Sequence, residues 1–166
     1  MTTVVVAALL VVAAVVVGLV LYRRTTRAAA RAVAAVRAAR PGWWVGAVHG
    51  SPALARALVV EGTWAPALGR SLPFAGVVAA GPPGLELWDA RRGAPVAAWP
   101  WRSVASVTAG EERVPRRGTA SVLRVETLAG AVLPLALAAR GTGWAAARED
   151  EVADVVGRLR ELRDGA

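Results

Sequence analysis

The chain has 166 residues, a net charge of +8 at pH 7, one histidine and no cysteine. The absence of cysteine excludes a disulfide framework, a thiolate nucleophile and a zinc–thiolate site. The length accommodates one membrane-spanning helix followed by a single domain with its own core.

The positive charge is concentrated in one segment. All 20 basic residues are arginine, and six of them lie between residues 23 and 40, where no acid occurs. The rest of the chain has 14 arginines against 12 acids, so it is close to neutral. We therefore expect no nucleic-acid partner, since nucleic-acid binding depends on a basic domain surface. Arginines beside an apolar segment fit anionic lipid headgroups instead.

Residues 4–21 form an uninterrupted apolar segment of Val, Ala, Leu and Gly. A helix over residues 2–22 would be about 31 Å long, which matches the hydrocarbon thickness of a bilayer. Its nine valines and four leucines favour insertion by about 4–8 kcal/mol. We predict a transmembrane anchor over residues 1–22, a basic helix and linker over 23–42, and a domain over 43–166.

A cleaved signal peptide is the alternative to a retained anchor. Signal peptides carry a positive segment before a shorter apolar core and small residues after it. Here no charged side chain precedes the long core, and Arg23, Arg24, Arg27 and Arg31 follow it. We therefore predict a retained single-pass anchor in the plasma membrane. The positive-inside rule places the N-terminus outside and residues 23–166 in the cytoplasm, against the anionic inner leaflet.

Residues 23–40 are predicted to continue the helix out of the membrane until Pro41 and Gly42 stop it. One face of this helix carries Arg23, Arg24, Arg27, Arg31 and Arg37, and Val33 and Val36 lie opposite. One interpretation is a helix lying on the membrane surface, and the other is a solvated stalk. We favour the stalk, because two valines are a thin apolar face for interfacial binding.

The remainder reads as short strands separated by Gly and Pro turns, with a helical turn from Ser51 to Val60 and a charged loop over residues 111–118. The predicted strands are 43–48, 74–80, 85–89, 96–101, 103–109, 121–128 and 131–137. An amphipathic helix over residues 144–163 follows, with acids early and arginines late as the helix dipole favours. This pattern predicts an α+β fold: a small antiparallel barrel or sandwich closed by a C-terminal helix.

Residues 84–88 (GLELW), 95–96 (PV) and 100–107 (PWRSVASV) resemble the hydrophobic rhythm of bacterial pleckstrin-homology-like domains. The resemblance covers residues 74–163, and single-pass actinobacterial membrane proteins share this organisation. It implies a domain that binds proteins or lipid headgroups and rarely catalyses a reaction.

The sequence contains no complete motif for catalysis, metal binding or dinucleotide binding. His49 is the only histidine, and no Gly-x-Ser-x-Gly element frames a serine, so we predict no catalytic role for it. One histidine without cysteine gives no metal site. The segment 141–144 (GTGW) lacks the third glycine of a dinucleotide-binding fingerprint. We therefore expect no enzyme activity and no cofactor.

Two sets of residues are candidates for a contact with a partner or a headgroup. Arg113, Arg116 and Arg117 share a loop with two glutamates, and such a loop is more often solvated, although arginines also bind phosphate. Trp43 and Trp44 are neighbours, so they point to opposite faces of a strand, and one of them is a candidate anchor. Trp88 and Trp101 are predicted to lie in the core.

These observations predict a non-catalytic interaction or scaffold module at the cytoplasmic face of the plasma membrane, with an unidentified membrane protein as partner. Two alternatives stay open. One is an accessory subunit of a membrane enzyme complex, which predicts an exposed apolar patch beside the span. The other is a domain that binds lipid headgroups through Arg113, Arg116 and Arg117.

A retained anchor makes a simple prediction. We expect the protein to remain in the membrane fraction after alkaline extraction, with residues 1–22 still attached, as an intact-mass measurement would show. A mature chain that is trimmed beyond Tyr22, or that is found in the culture medium, would contradict it.

Overall fold

We describe the fold from a computed structural model, which covers residues 2–63, 65, 68, 75–114, 118–139 and 145–166. The predicted strand residue Phe74 lies outside the described residues, as do Trp64 and the 141–144 segment. The elements in chain order are α1 (Thr2–Ala39), β1 (Trp44–His49), α2 (Pro52–Val60), β2 (Gly76–Gly81), β3 (Gly84–Asp89), β4 (Ala94–Pro100), a 3-10 turn (Trp101–Ser103), β5 (Val104–Val114), β6 (Gly118–Thr127), β7 (Val132–Leu137) and α3 (Glu149–Asp164).

The predicted apolar anchor and basic helix form one continuous helix, α1. It ends at Ala39, and Gly42 adopts a φ of 81° in the turn into β1. A residue with a side chain rarely adopts that conformation. The predicted stop at Pro41 and Gly42 is therefore confirmed.

The strands form one antiparallel sheet in the order β4-β3-β2-β1-β7-β6-β5, and it curls into a half-barrel. Alternate residues of a strand face opposite sides of a sheet. In β2, Val78 and Ala80 face the inner side, whereas Val77 and Ala79 face the outer side and pack in a separate cluster. Both faces of this half of the sheet are therefore buried.

The inner face holds the main core. Leucines of β3, β6 and β7 pack there with Leu54 and Leu58 of α2 and with Val152 and Leu159 of α3. The α2 helix begins as predicted, with Ser51 as N-cap accepting a hydrogen bond from the Leu54 backbone N–H at 3.1 Å. Trp101 is buried in this core, as predicted.

A carboxylate connects α2 to two strands. Glu61, at the C-terminal end of α2, accepts a hydrogen bond from the Trp99 indole N–H of β4 at 2.9 Å and another from the Thr127 hydroxyl of β6. Since β4 and β6 lie in opposite halves of the sheet, Glu61 holds the two halves together across the opening of the half-barrel.

The edge strand β5 is covered by arginines of α3. Arg160 donates to the Val107 carbonyl at 2.9 Å, and Arg163 donates to the Ala105 carbonyl at 3.4 Å. Unpaired backbone groups at a sheet edge invite pairing with another chain. These two arginines block part of that edge.

Two of the predicted boundaries are wrong. Most of the expected charged loop over 111–118 belongs to strands, because β5 continues to Val114 and β6 begins at Gly118. Residues 115–117 lie outside the described residues. The C-terminal helix begins at Glu149 and not at residue 144, because Ala146 forms a β-bridge with Ala138. Arg148 then caps the helix, with Glu151 accepting from its backbone N–H at 3.0 Å.

The Glu61 contact predicts a stability effect. Glu61→Ala leaves the Trp99 indole and the Thr127 hydroxyl without their acceptor, and we expect a loss of about 1–3 kcal/mol. Tryptophan fluorescence during denaturant unfolding of the full chain in detergent measures it. Glu111→Ala, at an exposed position of β5, is the control and should change stability by less than about 0.5 kcal/mol. Equal losses in both variants would contradict this role for Glu61.

Candidate functional site

The last turns of α1 lie on the outer face of β1, β2 and β3. Ala29 and Val36 are each 4% exposed, and Ala32 and Val33 are partly buried. These positions are spaced three and four residues apart, so they form one stripe along the helix. On the sheet, Ala32, Val33 and Val36 pack with a cluster formed by Val45, Val77, Ala79 and Trp88.

This packing corrects the expectation of a solvated stalk. The valine face of residues 23–40 is too thin for stable insertion into lipid, but the sheet supplies an apolar surface that matches it. Neither a solvated stalk nor a helix lying on the membrane describes what these valines contact.

An ion pair fixes the end of α1 to the sheet. Arg40 directs Nε and Nη2 at the carboxylate of Glu86 in β3, each with a 3.0 Å hydrogen bond. The Trp88 indole N–H donates to the same carboxylate at 3.0 Å. Only 15% of the Glu86 side chain and 35% of the Arg40 side chain are exposed. A bidentate, charge-assisted contact with restricted solvent access sets both distance and angle.

Two aromatic rings flank the same guanidinium. The Arg40 Cζ atom lies 5.5 Å from the centre of the Trp43 ring and 5.4 Å from that of the Trp88 ring, within range of cation–π attraction. The Trp43 indole covers Gly81, where a side chain would have no room. We call Arg40, Trp43, Glu86 and Trp88 the junction.

The predicted tryptophan arrangement is confirmed in part. Trp43 packs in the outer cluster and Trp44 packs against the inner core, so the two neighbours do point to opposite faces. Both are half-buried, and Trp43 contributes to the junction. Trp88 is buried as predicted, but it lies on the outer face under α1 and not in the core of the half-barrel.

The predicted arginines do not converge. Arg23, Arg24, Arg27 and Arg31 are exposed along α1, whereas Arg113 is exposed near the end of β5, at the far edge of the sheet from α1. Arg116 and Arg117 lie outside the described residues.

Sequence reasoning missed the junction's ion pair. In the sequence, Arg40 is one of six arginines between residues 23 and 40, and Glu86 is one polar residue between two leucines. The alternation in β3 places Glu86 on the outer face, but nothing local indicates a partner 46 residues away.

Two grooves flank the docked part of α1. The α1–α3 groove, of about 630 Å³, lies between Ala30, Val33 and Arg37 of α1 and Glu151 and Arg158 of α3. The turn groove, of about 430 Å³, lies between α1 and the β3–β4 turn (residues 90–93). Both grooves exist only because the helix packs on the sheet.

His49 ends β1 and is 1% exposed, with Nε2 3.1 Å from the Ala145 carbonyl oxygen. Within the described ranges, no group of three or more His, Cys, Asp or Glu residues could hold a metal ion.

Among the described residues, α1 is the one helix with the length and composition to cross a membrane. The candidate span lies within Leu9–Ala39, has a mean hydropathy of 1.8, and is not buried by the rest of the chain. Comparison of the chain with known protein families, curated proteins and solved structures finds no match.

The junction predicts thermodynamic coupling between Arg40 and Glu86. In a double-mutant cycle with Arg40→Ala and Glu86→Ala, we expect a coupling of roughly 1–2 kcal/mol, between the values of exposed and of buried pairs. Hydrogen exchange of the backbone amides of residues 30–39 measures the opening of α1 from the sheet.

A second cycle serves as the control. Arg37 is exposed about one turn earlier on α1, so Arg37→Ala should show no coupling to Glu86→Ala. Strictly additive effects of the Arg40 and Glu86 variants would show that their contact does not hold the helix in place.

Proposed function

We propose that this chain is a single-pass plasma-membrane protein that holds a pleckstrin-homology-like domain at the cytoplasmic face as a non-catalytic interaction module. The observation that carries the proposal is the continuity of α1, which extends from the apolar segment onto the outer face of the sheet. The helix is therefore both the anchor and a structural part of the domain.

Continuity of the helix limits the movement of the domain. Tyr22 and Ala39 are about 26 Å apart along a helix with no break. Because the end of this helix is attached through the junction, the domain keeps one orientation relative to the anchor. Confinement near the bilayer raises the effective concentration of the domain for other membrane proteins, so a weak contact becomes populated.

The sheet supports the resemblance to pleckstrin-homology-like domains. Residues 84–88 belong to β3, and residues 100–107 extend from the end of β4 through the 3-10 turn into β5. A curled antiparallel sheet of seven strands with a terminal helix is the arrangement that this resemblance implies.

The surface that best suits a partner is apolar. Outside α1, the exposed large apolar side chains of the described residues are those of Val59, Val60, Leu128 and Val132, which are 46–71% exposed. Val60 and Leu128 each adjoin a residue of the Glu61–Thr127 hydrogen bond, so they lie near each other. We call these four residues the apolar end.

The apolar end lies toward the C-terminal end of α1. Arg40 contacts Glu86, whose neighbour Leu85 pairs with Trp99 of β4, and Trp99 donates to Glu61. This short series of contacts connects the last residues of α1 to the apolar end. A partner's cytoplasmic part would meet the domain here, on the side away from the bilayer.

Site-specific crosslinking in intact cells tests this proposal. A photo-crosslinking amino acid at Leu128 should give a discrete adduct with a membrane protein, whereas the same probe at Ala94, an exposed residue at the other end of β3 and β4, should not. Introducing Val60→Asp into the Leu128 probe chain should remove the adduct, because it places a charge in the apolar contact.

Two results would overturn the proposal. One is the same set of adducts from both probe positions, and the other is an adduct at Leu128 that Val60→Asp leaves unchanged.

A further inference from the structure

The turn groove combines arginines from two distant parts of the chain. Arg31 of α1 lies on one side, and Arg91 and Arg92 of the β3–β4 turn lie on the other, with Asp89 at the base of the turn. All three arginines are exposed. We propose that this groove binds the phosphate of an anionic phospholipid headgroup.

The charge of the groove is positive and uncommitted. The ion pairs of the described residues involve Arg40, Arg148 and Arg163, and none involves the arginines of the turn groove. The groove is lined by three guanidinium groups and one carboxylate, so its net charge is positive. Guanidinium groups match the geometry of phosphate oxygens and bind them through paired hydrogen bonds.

Asp89, the one acidic residue that lines the groove, stabilises the backbone of the β3–β4 turn. The Asp89 carboxylate accepts hydrogen bonds from the backbone N–H groups of Arg91, at 2.7 Å, and Arg92, at 3.2 Å. Only 5% of Asp89 is exposed. Asp89 therefore shapes the turn that presents the two arginine side chains. Because the turn is held through backbone atoms, the arginine side chains stay available for a ligand.

The distance of the groove from the end of the apolar segment fits a lipid headgroup. Ala28 and Arg31 line it and lie six and nine residues beyond Tyr22, which places them about 9 and 14 Å along the helix axis from the end of the apolar segment. The headgroup layer of one leaflet accounts for about 5–8 Å of this distance. Long arginine side chains extend toward the bilayer over the remainder.

The same α1 that forms one wall of the groove also enters the membrane. The open side of the groove is therefore beside the leaflet surface, where lipid phosphates are far more concentrated than soluble phosphate compounds. This inference rests on the membrane anchorage proposed above, but not on the partner at the apolar end.

The full chain, inserted in nanodiscs, provides the test. Nanodiscs of phosphatidylcholine are prepared with and without phosphatidylglycerol, and native mass spectrometry measures the lipids that stay bound when the protein is released. We expect retained phosphatidylglycerol. Arg91→Gln with Arg92→Gln should weaken its binding by about fivefold for each arginine removed. Added salt should weaken the binding of the unmodified chain as well.

The double variant separates the groove from the anchor. It leaves Arg23, Arg24, Arg27 and Arg31 in place, so membrane orientation does not change, and it leaves the backbone contacts of Asp89 intact. The matched control is Arg56→Gln with Arg102→Gln, which removes the same charge at exposed positions outside the turn groove. The control should change binding by less than about twofold.

Each other outcome contradicts a defined part of the inference. Equal weakening in the control would show a diffuse electrostatic effect and no site. Displacement of the lipid by millimolar inorganic phosphate, or phosphate binding in phosphatidylcholine nanodiscs, would assign the groove to a soluble anion. A chain that inserts and retains no phosphatidylglycerol overturns the lipid site alone, whereas failure to insert overturns the anchorage and the lipid site with it.

Discussion

The packing of α1 on the outer face of the sheet determines how the rest of the molecule is presented. An apolar stripe from Ala29 to Val36 provides the contact area, and the Arg40–Glu86 pair sets its end point. The apolar contact by itself is non-directional. The bidentate ion pair, held between Trp43 and Trp88, gives the helix one position on the sheet. The helix in that position forms a wall of each of the two grooves.

Helix α1 also completes the fold of the domain. Strands β1 to β3 carry apolar residues on both faces, as in sheets covered on both sides. The inner face is covered by α2 and α3, and the outer face is covered by α1. Without the last turns of α1, Val45, Val77, Ala79 and Trp88 would be exposed to water as one patch. The last turns of α1 and the strands are therefore one folding unit, although the sequence pattern predicts a separate helix and domain.

Several acidic residues stabilise the fold, whereas many arginines in the described part of the chain have no acidic partner. Within the described ranges, every buried side-chain nitrogen and oxygen atom has a hydrogen-bond partner. Glu61, Glu86 and Asp89 connect or shape elements of the fold. The arginines without an acidic partner include those on the part of α1 beside the apolar segment and those on the β3–β4 turn, where our proposals place the membrane surface.

Local patterns determined which elements form. The apolar length of residues 4–21, the apolar run of β2, the alternation in β3, β6 and β7, the Ser51-Pro52 helix start and the Gly and Pro turns each act over a few residues. The sequence alone therefore predicted six or seven strands and three helices in nearly the right places. Contacts between distant residues decided everything else. The Arg40–Glu86 pair and the Glu61 contacts join residues far apart in the chain. The Ala138–Ala146 bridge that delays α3 closes a shorter connection whose pairing no local pattern indicates. Which face of the basic helix is buried, and what covers it, depends on a surface that exists only once the sheet has formed.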